Sequence, residues 1–351
     1  MEPLRLGIIG CGVIGNGAHL PSTAQSSLID VVAVADLIEE RVQAAKEKYN
    51  IPVAYSSGDE LLEDDNVEAV VLAMPTGVRS PLAMRALAKG KHVLVEKPVA
   101  MSVQQVKDMM AARGDRVIGC CSPRFRLTPS ARAAQECVAS GVLGDLRVIR
   151  ARAIIAAGPE PTNPPPPWRV NKGLNGGGIL VNWGCYDLDY LLGLTGWQLK
   201  PRTVLAQAWP LASHLKARVD PASDAENHFA TLIVCEGGTV ISFERGEFVS
   251  AANDEAWQIL GSKGSLRMHM REPKNKKILL DTSDAKEGVS TQTIWEGDDV
   301  GSSNLVLLED FARAIREGGQ PTTSLERALV MQQITDGIYE SAATGKAVEI
   351  V

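Results

Sequence analysis

Three polar side chains stand at helical spacing in a stretch that is otherwise apolar. In GGGILVNWGCYDLDYLLGL, residues 176–194, Asn182, Tyr186 and Asp189 occupy positions i, i+4 and i+7. An α-helix would place all three on one face, so the segment predicts a polar stripe that needs partners. Tyr186 can donate or accept a proton, whereas Asn182 can hold a hydroxyl group but cannot carry a proton. The stripe is either a row of satisfied groups in a domain interface or a surface that faces a ligand.

A glycine pattern near the start of the chain is typical of a turn that binds phosphate. In GIIGCGVIG, residues 7–15, three glycines follow GxGxxG spacing after a strand-like run and at the start of a helix-like segment. The first permits a tight turn, the second lets a pyrophosphate approach the backbone, and the third allows close helix packing. The alternative is a tight turn that binds nothing. The residues predicted to bind a dinucleotide are Gly10, Gly12, Val13, Ile14 and Gly15.

An acidic residue after the second strand-like run bears on the choice of dinucleotide. Asp36 stands 21 residues after Gly15, where a carboxylate can accept a hydrogen bond from a ribose 2′-hydroxyl and would repel a 2′-phosphate. This position favours NAD. Arg41 could swing toward a 2′-phosphate, so NADP stays open as the less favoured cofactor. A capping or surface role for Asp36 is the alternative.

A lysine at the predicted carboxyl end of a strand is a second candidate for proton transfer. Glu96, Lys97 and Pro98 end the run HVLVEKP at the edge of an open α/β sheet, where ligands bind. Beside an oxidised nicotinamide, like charge and desolvation would lower the pKa of Lys97 toward that of a working proton carrier. With a reference pKa of about 10, Tyr186 needs such positive charge nearby to act as a base near neutrality. The alternative is a lysine that merely pairs with Glu96.

Apolar runs alternate with helical periods over the first 122 residues. The strand-like runs are 4–10, 31–36, 67–75, 92–98 and 116–123, and helix-like segments lie around 13–26, 38–48, 79–89 and 102–113. Runs this continuously apolar suit strands that are covered on both faces. The alternation therefore predicts an α/β fold with a doubly wound parallel sheet, a Rossmann domain over residues 1–123.

The texture of the sequence changes after Pro123. A helix-like segment at 128–140 leads into an apolar run and then into residues 157–175, whose six prolines exclude regular structure. Several β-rich runs follow, and EGG at 236–238 is a hairpin signal, so a mainly antiparallel sheet is predicted. The second domain is assigned to residues 124–351. It closes with two helical patterns, at 303–317 and 324–343, and the last of these could pack back on the first domain.

Composition excludes several classes of partner. The chain has 351 residues, a formal net charge of −6 and scattered lysines and arginines, so nothing favours nucleic acid or a membrane surface. No window approaches 18 apolar residues, and no secretory leader pattern is seen. The six cysteines form no CxxC pair and the five histidines show no ligand spacing. We therefore predict free thiols, no metal site and a cytoplasmic protein.

Signatures of one family recur in order along nearly the whole chain. Besides the glycine turn, these are AMPTGVRSPLAMRALAKGKHVLVEKP, SGVLGDLRVIRARA, GGGILVNWGCYDLD, ILGSKGSL and IYESAATGKAVEI. With them the sequence resembles the glucose-fructose oxidoreductase, inositol dehydrogenase and rhizopine-catabolism (Gfo/Idh/MocA) family. The resemblance implies a C-terminal α+β domain whose large open sheet lines the active site and mediates contacts in a homo-oligomer, a dimer or tetramer. It also implies sugars, cyclitols or their derivatives as substrates.

The resemblance assigns roles to residues of the first domain. In the family, the lysine of EKP lies near the nicotinamide and the substrate, which gives that role to Lys97. Pro75 and Thr76 match the loop that touches the nicotinamide ribose, and Glu96 belongs to the same cofactor-binding set. By its position alone, Arg124, the first residue of the second domain, lies near the end of the last strand of the first domain, can reach the cleft and is predicted to bind substrate.

The polar stripe departs from the family pattern. The usual order after the glycines is Asp-x-Gly-x-His-x-x-Asp, whose first Asp and His bind substrate and handle its proton. This chain has Asn182 and Tyr186 in their places, so a histidine–carboxylate relay is absent. Some sugar-acting relatives are similar in having tyrosine there. Tyr186 and Lys97 are therefore the predicted catalytic residues, and Asn182 and Asp189 are predicted to position the substrate ring.

A tryptophan–arginine pair before the glycines is similar to that of the sugar-oxidoreductase branch. Trp168 and Arg169 follow four prolines, which could hold them over the cleft as a lid that binds substrate. The alternative is a solvated arginine stacked on Trp168. Arg79, which stands where many relatives carry histidine, can also reach the cleft.

The sequence thus favours an NAD(P)-dependent dehydrogenase or reductase that acts on a CH–OH group. Hydride would pass between nicotinamide C4 and a sugar, cyclitol or related polyol or keto-sugar, while Tyr186, assisted by Lys97, moves the hydroxyl proton. Two alternatives stay open. One is a non-catalytic NAD-binding sensor of the same fold, and the other is an NAD-dependent glycosidase.

Overall fold

The computed structural model describes residues 2–162, 164–271, 274–299, 301 and 303–350. The chain forms two compact units, Met1–Arg124 with Ser302–Gln332, and Phe125–Gly301 with Gln333–Val351. Each unit is built on one β-sheet. Among the described helices, none combines the length and apolar character needed to cross a membrane.

The elements are numbered along the chain. The strands are β1 Leu4–Ile9, β2 Ile29–Ala35, β3 Val53–Tyr55, β4 Ala69–Leu72, β5 His92–Val95, β6 Ile118–Cys120, β7 Leu146–Ala156, β8 Pro201–Pro210, β9 Glu226–Cys235, β10 Val240–Val249, β11 Asp254–Gly261, β12 Gly264–Met268, β13 Lys276–Asp284, β14 Gly288–Gly297 and β15 Val348–Glu349. The helices are α1 Leu20–Thr23, α2 Glu39–Tyr49, α3 Gly58–Leu62, α4 Thr76–Ala88, α5 Val103–Ala112, α6 Pro129–Ala139, α7 Lys172–Asn175, α8 Cys185–Leu194, α9 Ser303–Glu317 and α10 Leu325–Thr344. Two π-helical turns, Gly15–His19 and Leu180–Gly184, precede α1 and α8.

The sheet of the first unit is parallel throughout, in the order β3-β2-β1-β4-β5-β6. β4 is buried along its whole length, and β1 is buried except at Arg5. Strands that are covered on both faces favour apolar residues at every position, which explains why these runs do not alternate. The predicted doubly wound parallel sheet is confirmed. The strand order reverses between β1 and β4, so their carboxyl ends flank the crevice where such sheets bind ligands.

Over the residues that the structure describes, the sheet of the second unit has nine strands in the order β14-β13-β12-β11-β7-β10-β9-β8-β15. All neighbouring pairs are antiparallel except β7 with β10, so the predicted mainly antiparallel sheet is confirmed. The hairpin signal EGG joins β9 to β10, where Gly237 and Gly238 have φ angles of 78° and 89° that favour glycine. In the core, Phe229 and Phe243 pack edge to face with ring centroids 4.8 Å apart. Helix α8 is buried at every residue.

The structure corrects the expectation that residues 157–175 hold no regular structure. A 3-10 turn, Pro167–Val170, and the one-turn helix α7 lie within this stretch. Helix α7 forms because the side chain of Asn171 accepts a hydrogen bond from the backbone N–H of Leu174 at 3.1 Å, which caps the first turn. The sequence pattern also misses β3 and α3, which are too short to show a period.

Candidate active site

Backbone atoms lie too close to two glycines of the turn, Gly10 and Gly15, to admit a side chain, whereas the space beside Gly12 is open. Gly10 has a φ of 104°, and a Cβ there would lie 2.6 Å from the carbonyl oxygen of Ala73. A Cβ on Gly15 would lie 2.1 Å from the carbonyl oxygen of Gly10. A Cβ on Gly12 meets only Arg41, at 3.8 Å among the described atoms. The neighbouring protein therefore does not demand a glycine at position 12, and the open space fits a ligand that approaches the backbone.

The helix predicted after the glycine turn begins at Val13 and widens into a π-helical turn, Gly15–His19. Val13 is 92% exposed, and Ile14 directly precedes the π-helical turn. π-Helical turns are rare and often mark functional sites. This one ends on His19, whose side chain is completely buried.

Asp36 ties the glycine turn to the end of β2. Its Oδ2 accepts a hydrogen bond from the N–H of Cys11 at 2.7 Å, and its Oδ1 accepts one from the N–H of Ile38 at 2.9 Å. Each carboxylate oxygen has two lone pairs, so both retain acceptor capacity for a ribose hydroxyl. Burial, followed by the charge of Asp36, raises the pKa of the Cys11 thiol to about 12, and Cys11 therefore stays a thiol.

Pro75 and Thr76 lie directly after β4, at the edge where the nicotinamide loop is predicted. Pro75 precedes α4, and Thr76 is its first residue. The buried hydroxyl of Thr76 accepts a hydrogen bond from Nη2 of Arg79 at 2.9 Å. The first turn of α4 therefore fixes this loop.

Glu96 is the buried centre of a charged cluster at the carboxyl end of β5. Its Oε1 contacts Nε2 of His19 at 2.8 Å and Nη2 of Arg124, and its Oε2 accepts a hydrogen bond from the N–H of Lys97 at 3.1 Å. Burial alone would raise the pKa of Glu96, but Arg124, His19 and Lys97 outweigh burial and hold it well below its ordinary value. Glu96 is therefore a carboxylate paired with Arg124 and His19. Lys97 is half-buried at the same edge.

The same cluster contains a group of potential metal ligands that spacing along the sequence does not reveal. Ligand atoms of His19, Glu96 and Cys121 lie within 4.8 Å of one another. The guanidinium of Arg124 on the Glu96 carboxylate places positive charge where a cation would bind. Burial raises the pKa of the Cys121 thiol well above its ordinary value, which also disfavours the thiolate that a metal needs. The chemistry of this cluster therefore opposes a metal ion.

The backbone angle of the first glycine at 176–178, and the groups packed against the other two, explain why these residues are glycines. Gly176 ends α7 with a φ of 85°. A Cβ on Gly177 would lie 1.8 Å from the hydroxyl oxygen of Tyr339, and one on Gly178 would lie 1.9 Å from the carbonyl oxygen of Glu226. The Glu226 side chain then accepts hydrogen bonds from the N–H groups of Gly178 and Leu180 at 3.0 Å and from the Tyr339 hydroxyl at 2.9 Å. This buried carboxylate fixes the start of the segment that carries the polar stripe.

The polar stripe is divided among different partners. Asn182 lies in the π-helical turn, whereas Tyr186 and Asp189 lie in α8. Asp189 is fully buried and accepts a hydrogen bond from Nε of Arg126 at 2.7 Å. The ring of Tyr186 packs on Phe125, with ring centroids 5.2 Å apart. The wider π turn breaks the 3.6-residue period on which the predicted stripe depends.

Arg169 and Asn182, both predicted to bind substrate, are brought together. In the orientation that satisfies its neighbours, the Asn182 amide oxygen accepts from Nη2 and Nε of Arg169 at 2.8 and 2.9 Å. Nη2 of Arg169 also pairs with Glu247 at 2.7 Å. Trp168, on the same 3-10 turn, is 37% exposed. The arginine is thus anchored in the second unit rather than solvated.

Trp183 is a member of the site region that sequence reasoning missed. Its ring lies 5.5 Å from that of Tyr186, and guanidinium groups of Arg245 and Arg271 stack over it at 5.0 and 4.7 Å. Arg245 is buried in a bidentate pair with Asp187. Aromatic and cation–π contacts of this kind each contribute on the order of 1 kcal/mol, so Trp183 fixes the Tyr186 ring. A tryptophan beside the stripe was the available signal.

A parallel sheet with an open glycine turn at its carboxyl edge and an acid after β2 defines a dinucleotide-binding protein of the Rossmann class. Residues 4–116 match the family model described as the oxidoreductase family with an NAD-binding Rossmann fold, and residues 131–267 match the GFO/IDH/MocA C-terminal domain. The chain belongs to the Gfo/Idh/MocA family, as the sequence signatures predict. It is an NAD(P)-dependent dehydrogenase or reductase.

Relatives match this chain over part or nearly all of its length. D-Glucoside 3-dehydrogenase of Escherichia coli K12 is 26% identical over 367 residues, which cover 99% of this chain and 98% of that protein. Trans-1,2-dihydrobenzene-1,2-diol dehydrogenase of Mus musculus is 35% identical over 205 residues, which cover 58% of this chain and 59% of that protein. A solved structure of levoglucosan dehydrogenase with NADH and levoglucosan has a TM-score of 0.85 at 23% identity, covering 99% of this chain and 100% of that one. The last comparison shows that the fold is shared.

Proposed function

We propose that the chain transfers a hydride between a nicotinamide cofactor and a carbon of a sugar, a cyclitol or a related polyol or keto-sugar. The observation that carries the proposal is the placement of two features at one sheet edge. These are the glycine turn, open at Gly12, and the turn after β5 that presents Lys97. The similarity to D-glucoside 3-dehydrogenase supports the substrate class.

NAD is the cofactor in this proposal, and when bound it accepts or supplies the hydride. Asp36 would accept a hydrogen bond from its ribose 2′-hydroxyl and repel the 2′-phosphate of NADP. Arg41 lies beside Gly12 and offsets part of that repulsion. We therefore expect preference for NAD rather than strict exclusion of NADP.

Tyr186, assisted by Lys97, carries the proton of the reacting hydroxyl. In oxidation Tyr186 reacts as the phenolate, which accepts this proton and becomes the phenol as hydride leaves the carbon. In reduction the phenol donates its proton to the substrate oxygen and becomes the phenolate. Asn182, whose amide is fixed by Arg169, holds a neighbouring hydroxyl of the ring, and Trp168 covers the sugar.

Asp189 and Arg124 serve the site through their neighbours in this proposal. Asp189 is buried against Arg126, and Arg124 is buried against Glu96, so each carboxylate–guanidinium pair holds a segment that carries a proposed catalytic residue. Loss of one partner would leave a buried charge, which is strongly destabilising.

Kinetics of matched variants test the proton-transfer roles. A panel of sugars, cyclitols and keto-sugars is screened by nicotinamide absorbance, and Tyr186→Phe and Lys97→Met are compared with wild type on the substrate found. We expect kcat to fall about 10²- to 10⁴-fold in both. Tyr55→Phe and Lys89→Met are the controls, since Tyr55 contacts Asp64 and Lys89 pairs with Glu63 at the surface.

Two outcomes would overturn the proposal in different ways. Wild-type turnover in both site variants would remove Lys97 and Tyr186 from proton transfer. A wild-type chain that binds NAD but turns over no member of the panel would favour the NAD-binding sensor.

We also propose that the chain is a homo-oligomer that associates through the exposed face of its second sheet. Leu205 and Leu232 face each other across β8 and β9, and both are about half exposed, as are Val234 and Trp209. Monomers rarely leave such a contiguous apolar patch in water. Sedimentation velocity of wild type and Leu232→Lys tests this, with a dimer or tetramer expected only for wild type; a monomeric wild type would contradict it.

The state of the cysteines supports a reducing compartment, which we propose is the cytoplasm. All six are free thiols, as the sequence predicts, and all except Cys137 are buried. Disulfides are rare in the cytoplasm because its thiols are kept reduced.

A further inference from the structure

Arg79 joins two loops of the first unit at the carboxyl edge of its sheet. The side chain lies in the first turn of α4 and is 2% exposed. Toward the loop after β4, its Nε donates to the carbonyl oxygen of Met74 at 2.8 Å and its Nη2 donates to the hydroxyl of Thr76 at 2.9 Å. This loop is the one proposed to contact the nicotinamide ribose.

The other edge of the same guanidinium reaches the turn after β5. Nη1 of Arg79 donates to the carbonyl oxygens of Glu96 and Pro98, the latter at 2.5 Å, and Nη2 lies 3.5 Å from the carbonyl oxygen of Lys97. Three successive carbonyl groups of the lysine turn therefore face one buried cation. Charge-assisted hydrogen bonds of this kind are roughly twice as strong as neutral ones.

The N–H side of the lysine turn is held from another direction. The backbone N–H of Lys97 donates to Oε2 of Glu96, whose Oε1 is engaged by His19 and Arg124. The backbone on either side of the Lys97 Cα is thus tied to a buried charged group. A shift of this Cα would break bonds on at least one side.

We propose that Arg79 is a positioning residue that fixes the distance between the Thr76 loop and the Lys97 turn. A planar fork with five N–H donors can bond to both loops at once. A lysine in its place has three donors on one nitrogen and cannot span them. The inference rests on the proposed function for the use made of Lys97.

The test measures the reactivity of Lys97 itself, without any substrate. Competitive acetylation under native conditions, read by mass spectrometry with Lys89 as the internal reference, is compared in wild type, Arg79→Ala, Arg79→Lys and Arg85→Ala. Arg85 is the matched control, because it lies on the same helix but is exposed and pairs with Asp59. We expect a severalfold change in the acetylation rate of Lys97 in both Arg79 variants and none in Arg85→Ala. Ethylguanidinium should restore the wild-type rate in Arg79→Ala.

Each outcome decides a separate question. Unchanged Lys97 reactivity in a folded Arg79→Ala chain would overturn the inference. If Arg79→Ala does not fold, the acetylation rate of Lys97 in Arg79→Lys, which keeps charge and length, is compared with that in wild type instead. A change that ethylguanidinium does not reverse would indicate a general loss of structure and would also overturn it. Changed Lys97 reactivity in a chain whose Lys97→Met variant retains wild-type turnover would support the positioning and overturn only the proposed proton transfer.

Discussion

The amide oxygen of Asn182 accepts two hydrogen bonds from the single guanidinium of Arg169, at 2.8 and 2.9 Å. Nη2 of that guanidinium also donates a hydrogen bond to Oε2 of Glu247, at 2.7 Å. The Asn182 amide is therefore fixed, and its nitrogen can only donate. An aspartate at this position, as in the family pattern that the resemblance implies, would instead accept hydrogen bonds. With asparagine in place of an acid, the substrate group that meets position 182 must accept a hydrogen bond rather than donate one.

Arg169→Lys is expected to lower kcat/KM about fivefold, because losing one of the two bonds that orient Asn182 costs roughly 1 kcal/mol. Steady-state kinetics on the substrate from the screen measure this effect. Arg218→Lys is the control, since Arg218 bonds to the carbonyl oxygen of Pro159 at 2.7 Å. Equal kinetics for Arg169→Lys and wild type would show that Asn182 does not depend on this contact.

Asp36→Ser is expected to shift the preference for NAD over NADP by roughly tenfold or more, since it removes both a ribose acceptor and a charge that repels the 2′-phosphate. The ratio of the kcat/KM values measured with NAD and with NADP gives this preference. Arg41→Gln should lower kcat/KM with NADP and leave kcat/KM with NAD unchanged. An unaltered ratio in Asp36→Ser would mean that Asp36 serves only to cap the turn.

Glu226→Gln is expected to unfold at nearly the wild-type temperature, whereas Glu226→Ala should lose about 3 kcal/mol of stability. Burial raises the pKa of Glu226, so its charge is costly, and glutamine keeps an oxygen for Gly178 and Leu180. Alanine leaves those N–H groups and the Tyr339 hydroxyl without this acceptor. Calorimetry of the two variants decides, and equal losses would contradict the account.

His92 makes stability depend on pH below neutrality. Burial, followed by Arg116, lowers its pKa to about 4, and its Nδ1 accepts a hydrogen bond from the N–H of Val117 at 2.8 Å, which requires the neutral ring. As the pH falls below 6.5, the ordinary pKa of histidine, His92 is protonated in the unfolded chain but stays neutral in the folded chain. Stability is therefore lost as the pH falls from about 6.5 to about 4. Denaturant unfolding should show this loss in wild type and a flatter dependence in His92→Gln; parallel curves would contradict it.

Features with local causes could be predicted from the sequence. Continuous apolar runs predict strands covered on both faces, and β1 and β4 are such strands. Gly237 and Gly238 predict a hairpin because their backbone angles are costly for other residues. The need for glycine at Gly10 and Gly15 could also be predicted, because the tight turn between strand and helix leaves no room for a side chain there.

Partners that are distant in sequence could not be predicted. Asp189 meets Arg126, 63 positions away, and Gly178 meets Glu226, 48 positions away, with no local pattern to signal either pair. The π-helical turn Leu180–Gly184 also alters the period on which the polar stripe depended. Gly177 and Gly178 were a signal, because adjacent glycines can mark places where other groups approach the backbone closely.

The central claim is tested most directly by a crystal structure of the chain with NAD and the substrate that the screen identifies. We predict that Nζ of Lys97 and the hydroxyl oxygen of Tyr186 both lie within about 3 Å of one substrate hydroxyl. The carbon that bears this hydroxyl should lie about 3–3.5 Å from nicotinamide C4. A complex in which the two side chains enter different cavities, or contact different parts of the ligand, would contradict the account.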